Sequence, residues 1–393
     1  MKKTILFAFA LTALIATTAF AQTDIDDIEV INIENKAVQD YMADKTYETN
    51  SNYAQTVINK YNKTAIYGKK LYWPNGKEVR WEPSTSAANI AEIRITVSEN
   101  VDFTDSVTHN PDSKDVSSFV IRNTIPNRIY YYKVEEILNS GEVRYRTDGV
   151  FRTIGQVRMI QVRNCGNVRD LGGWPTQYGK PVKYGYLYRS ASLDRITPEG
   201  RHDFAGNLNV GAELDLRSES RLKQSRLGSD KGLLVLPHNA GLAGLRDKKY
   251  VYVKDLRFLS EYLKKGVAVD WHCAIGCDRC GAVSFLIEGL LGMSEIDLCR
   301  DFELSTLSLS EKNLRPRSHI SSMMKYIKNF GNPDNLAQCF YNYWLSLGVD
   351  KEELNWFIRT ILDVDDEQIA ATLQLYEQND TEETKDTEYE EDR

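Results

Sequence analysis

Cys273-Ala-Ile-Gly-Cys-Asp-Arg279 places a thiol and a guanidinium with five residues between them, one of them a glycine. That spacing suits a loop that wraps an oxyanion, the backbone N–H groups and the Arg fork converging on one point. A thiol held in such positive potential loses its proton readily and becomes a nucleophile. The chemistry needs a rigid mount. The run before the loop, Gly266-Val-Ala-Val-Asp-Trp-His272, reads as a short buried strand. The run after it, Gly281-Ala-Val-Ser-Phe-Leu-Ile-Glu-Gly-Leu-Leu291, reads as an apolar helix whose positive end faces the loop.

The 393-residue chain is 42% hydrophobic and 27% charged, an ordinary globular composition long enough for two domains. Its net charge of −7 gives no nucleic-acid signature, so an anionic substrate must be captured by local positive charge. Met1-Lys-Lys, an apolar run from Thr4 to Phe20 and Ala19-Phe-Ala21 predict a Sec-type signal peptide over 1–21. No Cys follows the cut, so the expectation is a secreted or periplasmic protein without a lipid anchor or stable membrane insertion. The six Cys are too sparse for a disulfide scaffold, and three of them crowd into the loop.

Residues 22–70 read as a polar arm with one helix near Asn35–Met42. Residues 71–155 alternate in Ala91–Val97 and Tyr130–Val134, with turn signals at Pro74-Asn-Gly76 and Asn139-Ser-Gly141, a small β-sandwich pattern. Pro126–Val134 followed by Gly149–Thr153 resembles the last strands of a fibronectin type III-like domain, with the tyrosine corner in the Tyr130–Tyr132 region. From 156 to 378 strands alternate with helices and helices then dominate. A strand is expected within Leu208–Leu216, and helices at Asp255–Lys264, Asp334–Leu347 and Lys351–Leu362, with three or four helices after 294. Residues 379–393 read as a disordered acidic tail.

His272-Cys-Ala-Ile-Gly-Cys-Asp-Arg-Cys-Gly281 resembles the signature loop of Cys-dependent phosphatases. Asn164-Cys-Gly-Asn-Val-Arg-Asp-Leu-Gly-Gly173, Tyr188-Arg-Ser190 with Leu193–Gly200, and Glu213-Leu-Asp-Leu-Arg-Ser-Glu219 resemble three further motifs of the bacterial tyrosine/serine, dual-specificity-like protein phosphatases. Leu290–Ser305 is similar to that family's helix after the loop. The resemblance implies an α/β Cys-dependent phosphatase fold, a central mostly parallel sheet flanked by helices, with the N-terminal β-sandwich as a separate domain. It implies Cys273 as nucleophile, Arg279 as phosphate clamp and Asp278 as general acid. Ala274, Ile275, Gly276, Cys277 and Cys280 would complete the phosphate-binding loop. His272, Asp215, Arg217, Arg169 and Asp170 would support it, His272 by hydrogen bonding to the thiolate.

Each assignment has a plainer rival. Asp278 also suits a helix N-terminus electrostatically, Asp215 and Arg217 equally suit buried structural pairing, and Arg169 and Asp170 suit holding the fold together better than chemistry. The Cys273-x3-Cys277-x2-Cys280 spacing matches radical S-adenosylmethionine cluster sites, but Arg279 stands where those carry an aromatic. The Cys spacing is also too tight for most structural zinc sites, so neither metal nor other cofactor is expected. Family loops commonly carry Lys at the place of Cys277 and Ser or Thr at the place of Cys280. The expected partners are phosphorylated proteins, lipids or small molecules. The alternative is a catalytically weak or redox-regulated phosphate-binding relative, with Cys277 or Cys280 able to form a disulfide with Cys273.

Overall fold

The computed structural model describes residues 27–44, 46, 56, 73–238, 244–247, 250–308 and 315–374. The expected signal segment 1–21 and acidic tail 379–393 lie outside them. The N-terminal part is built from β1 (Glu29–Asn32), β2 (Lys77–Arg80), β3 (Ile90–Ser98), β4 (Val107–His109), β5 (Ser118–Ile121), β6 (Ile129–Leu138) and β7 (Val143–Ile154). Five strands form one sheet in the order β1-β7-β6-β3-β4, and β2 pairs with β5 in a second. Both contribute to a single apolar core, Val79 and Ile121 from the small sheet meeting Ile95, Val134 and Phe151 of the large one. β6 buries every second residue from Tyr130 to Leu138, the period that the sequence pattern predicts for a half-buried strand. The Tyr130 hydroxyl accepts the Ile125 N–H at 2.8 Å and so ties the start of β6 to the preceding loop.

The polar arm carries more structure than its sequence suggests. Its helix α1 (Lys36–Ala43) starts where expected, because the Asn35 side chain accepts the N–H groups of Ala37 and Val38. The strand β1, which the sequence does not announce, pairs in parallel with β7. Buried Glu34 takes the N–H groups of Gln156 and Val157 at 2.9 and 2.8 Å. Tyr41 donates to the Arg300 carbonyl at 3.1 Å, so the arm joins both parts of the molecule.

The second part holds β8 (Arg169–Asp170), β9 (Leu187–Ser190), β10 (Val210–Asp215), β11 (Gly232–Val235) and β12 (Ala268–His272) in the order β11-β10-β12-β9-β8. β9 to β12 run parallel, and β8 is antiparallel to β9. All of β12 is buried, as a central parallel strand with neighbours on each side must be. Helices α2 (Tyr250–Lys264), α3 (Asp278–Leu290), α4 (Glu295–Leu304), α5 (Ser318–Ile327), α6 (Leu336–Ser346), α7 (Lys351–Leu362) and α8 (Asp366–Leu373) surround the sheet. The last five exceed the three or four expected; α7 has the expected bounds, and α2 begins five residues before its expected start. α3 is buried from Cys280 to Leu290 and largely apolar, with Ser284 and Glu288 as its buried polar members, because it lies between the sheet and α6. The result is a mixed α/β architecture with the Cys273 loop at the carboxyl end of its central strand.

Candidate active site

Cys273 is the first residue after β12, and α3 starts five residues later at Asp278. The chain turns between them through Gly276, whose φ of +74° and whose position, where a Cβ would lie 2.6 Å from the Ser190 carbonyl oxygen, admit no side chain. Cys277 occupies the N-cap of α3 without a side-chain cap, leaving the first N–H groups of the helix open to an anion.

The loop is held from behind through its carbonyls. Asn167 donates its amide to the Ile275 and Gly276 oxygens, both at 3.0 Å. Arg189 donates to the Gly276 and Cys277 oxygens at 3.0 and 3.1 Å. In a trans peptide the C=O of one residue and the N–H of the next point in opposite directions. Pinning the carbonyls of 275, 276 and 277 therefore turns the N–H groups of Gly276, Cys277 and Asp278 to the other face, where they form a cradle. The braces are themselves fixed. Asp301 receives Arg169 at 2.8 and 3.1 Å and Arg189 at 2.8 Å, and Arg169 also reaches the Asn167 amide oxygen at 2.9 Å. All four are buried. Nearby Glu288 is pushed well above the usual carboxylate range, first by burial and then by Asp301, so it serves as a proton donor to the Asp301 carboxylate.

On the open face the Cys273 thiol is depressed well below its ordinary pKa. The neighbouring Cys280 side chain, whose thiol also lies 3.7 Å from the Ser190 and Trp271 carbonyl oxygens, is the largest cause; it acts with the Ile275 and Cys280 N–H groups and the Arg279 charge, and together they overcome burial. Cys280 is driven well up by burial and by the neighbouring thiolate, and Cys277 is pushed up to about 11, mainly by burial. The loop thus holds one thiolate and two thiols. The Arg279 side chain is partly exposed and lies 3.9 Å from the Glu219 carboxylate, a loose contact that a bound phosphate can displace. Asp278 is half exposed; its Oδ2 accepts a terminal N–H of Arg315 at 2.9 Å, and its Oδ1 lies 2.7 Å from the Arg315 Nε as an ion pair. The carboxylate is therefore engaged with Arg315 rather than turned freely toward the loop.

The expected supporting residues divide. Arg169 lies under the loop as described. His272 does not hydrogen-bond to Cys273; its Nε2 meets Glu213 at 2.9 Å, and its Nδ1 lies 3.9 Å from Asp215. Burial disfavours its charge, but the Glu213 bond and the Asp270 and Asp215 charges outweigh this and raise its pKa. Asp215 binds Arg217 at 2.9 and 2.8 Å, and Arg217 reaches Asp194 at 3.1 Å, linking β10 to the loop after β9. Asp170 is remote from the cradle: it pairs with Arg158 at 2.7 Å and takes the Gly172 and Gly185 N–H groups. Glu213, Asp215 and His272 bring ligand-type atoms within 4.8 Å of one another. Their oxygens are already committed, however, Glu213 to His272, Ser225 and Arg226, and Asp215 to Arg217, so the cluster is an ion-pair network rather than a cation cage.

Asn167, Arg189, Asp301, Glu213 and Arg315 are the members that sequence reasoning did not assign. The first four stand inside the motifs quoted above, and that was their signal: residues scattered over four motifs meet behind one loop. Arg315 belongs to no motif and is 37 residues from its partner Asp278.

The Tyrosine phosphatase family model matches residues 160–382, and the chain belongs to that family. It is a phosphatase, a hydrolase of phosphorylated substrates. Among solved structures, the crystal structure of P. aeruginosa TpbA is similar at 18% identity, covering 42% of this chain and 91% of that one with a TM-score of 0.29, too slight to define the fold. No curated protein matches the chain.

Proposed function

We propose that the chain is a secreted or periplasmic phosphomonoesterase that works through a phosphocysteine intermediate. It would act on phosphotyrosine, phosphoserine or small phosphate esters. The observation that carries this reading is the thiolate of Cys273 seated below a cradle of outward-turned N–H groups. The phosphate enters with its non-bridging oxygens on those N–H groups and on the Arg279 fork. The Cys273 sulfur attacks phosphorus, the P–O bond to the leaving group breaks, and Asp278, released from Arg315 and protonated, delivers its proton to the departing oxygen. Asp278 then takes a proton from water as that water attacks phosphorus, and the S–P bond breaks to return the thiolate and inorganic phosphate. Residues 156–378 form the catalytic unit in this reading, and 71–155 a fibronectin type III-like domain ahead of it.

The place of Cys280 beside Cys273, where it is the largest influence on the Cys273 pKa, favours a second reading, a redox-regulated relative in which the two sulfurs form a reversible disulfide. Hydrolysis of p-nitrophenyl phosphate with and without reductant, by the native chain and Cys273→Ser, tests both. The first reading expects reductant-independent turnover that Cys273→Ser abolishes. Silence of the native chain under both conditions overturns both readings, and turnover only with reductant selects the second.

A further inference from the structure

Away from the loop, a cleft of about 370 Å³ opens between the large N-terminal sheet and the phosphatase part. Its two walls are joined beside it, where Asn207 donates to the Thr108 carbonyl at 3.2 Å. Val97 and Ile121 on one side and Leu208 on the other make its surface largely apolar. Among the described residues, two charged side chains lining it have no hydrogen-bonded or ion-paired partner. The Arg122 Nε is buried with nothing to bond, and among the described residues its guanidinium makes no ion pair. Burial alone lowers the Arg122 pKa, with no carboxylate near enough to offset it. On the opposite wall Asp203, in the π-helical turn His202–Asn207, is half-buried and its carboxylate accepts no hydrogen bond among the described residues. Burial raises its pKa, and the neighbouring Arg163 only partly relieves it because Arg163 is paired with Asp112.

An uncompensated cation and an uncompensated anion facing one apolar cavity cost stability unless something fills them. Cavities at domain junctions with apolar walls and a few placed charges are where small ligands bind. We propose that this cleft is a binding site for a free amino acid or dipeptide, its carboxylate on Arg122, its ammonium on Asp203 and its side chain on the apolar strip between them. A doubly charged anion such as phosphate suits the site poorly, since Glu99 and Asp105 also line it. His109, held neutral by burial with a pKa down at about 4, adds no positive charge there.

Thermal unfolding of the full chain tests this with each standard amino acid and the dipeptide Gly-Leu as probes at about 10 mM. At least one probe is expected to raise Tm by about 2–4 °C. Arg122→Gln and Asp203→Asn should each abolish that shift. Arg122→Gln should leave p-nitrophenyl phosphate turnover unchanged and keep the ligand-free Tm within about 1 °C of the native value or above it, because it removes an unpaired cation. The proposal is overturned if no probe shifts Tm, if the shift survives Arg122→Gln, or if that variant loses more than about 3 °C without ligand, which would make Arg122 structural. A phosphate-induced shift lost in Arg122→Gln would equally overturn it, marking the cleft as a general anion site.

Discussion

The two faces of the Cys273 loop are built by opposite rules. The open face carries Cys273, Arg279 and Asp278, two of them solvent-exposed at least in part and held by loose or exchangeable contacts. The hidden face carries Asn167, Arg169, Arg189 and Asp301, all buried and multiply bonded. The groups proposed to react are held more loosely than the charged groups behind them. Preorganisation comes from the back, and chemistry from the front.

Substitutions that treat the two faces separately test this division. Cys273→Ser should lower p-nitrophenyl phosphate turnover by about 10⁴-fold or more while leaving the denaturation midpoint unchanged, since it removes only the nucleophile. A comparable loss of stability would mean that the front face also holds the fold. Arg169→Ala should do the reverse first, lowering unfolding free energy by about 2–4 kcal/mol by leaving buried Asp301 with Arg189 as its one remaining cation partner among the described residues, with activity lost through the distorted loop. Urea denaturation reads that change; a loss below about 1 kcal/mol would show that the brace is dispensable.

Within the front face, Asp278→Asn should slow hydrolysis of alkyl phosphates by about 10²-fold and that of p-nitrophenyl phosphate far less, because the good leaving group needs no proton. Arg315→Ala should raise alkyl phosphate turnover by about threefold by freeing the same carboxyl. Leaving-group dependence of kcat measures both, and equal effects on the two substrates would remove Asp278 from the acid role.

Two smaller effects concern protons. Cys280→Ala removes the side chain that does most to lower the Cys273 pKa, so the pH midpoint for iodoacetamide alkylation of Cys273 should move up. Buried Asp270, which accepts Ser190 at 2.8 Å, is pushed up to about 7, chiefly by burial, from an ordinary 3.8. Between those values the folded chain holds a proton that the unfolded chain has lost, so this group makes stability fall as pH rises through that window. Asp270→Asn should flatten that part of the stability profile, measured by denaturation at pH steps; an unaltered slope would place the titration elsewhere.

The same division explains what the sequence made legible. Residue type at short spacing was enough to single out Cys273 and Arg279 as candidates, whereas Asp278 entered only through the family resemblance. The bracing residues were visible only as motif letters, because what they do depends on packing between β8, β9 and α4. His272 was given a bond to Cys273, but its side chain is drawn to buried Glu213 on the next strand, a cross-strand contact that no local pattern encodes. β1 escaped notice because four residues of a half-polar edge carry no readable alternation. α7 was placed correctly because Asp350 caps it and its apolar face repeats at helical spacing.

The N-terminal arm also sets an order of events. β1 pairs with β7, about 120 residues downstream. The Tyr41 hydroxyl finds its acceptor 259 residues further along. The arm therefore leaves the ribosome well before its partners and is among the last parts to settle, left with an unpaired edge strand while nearly everything it will touch is still being made.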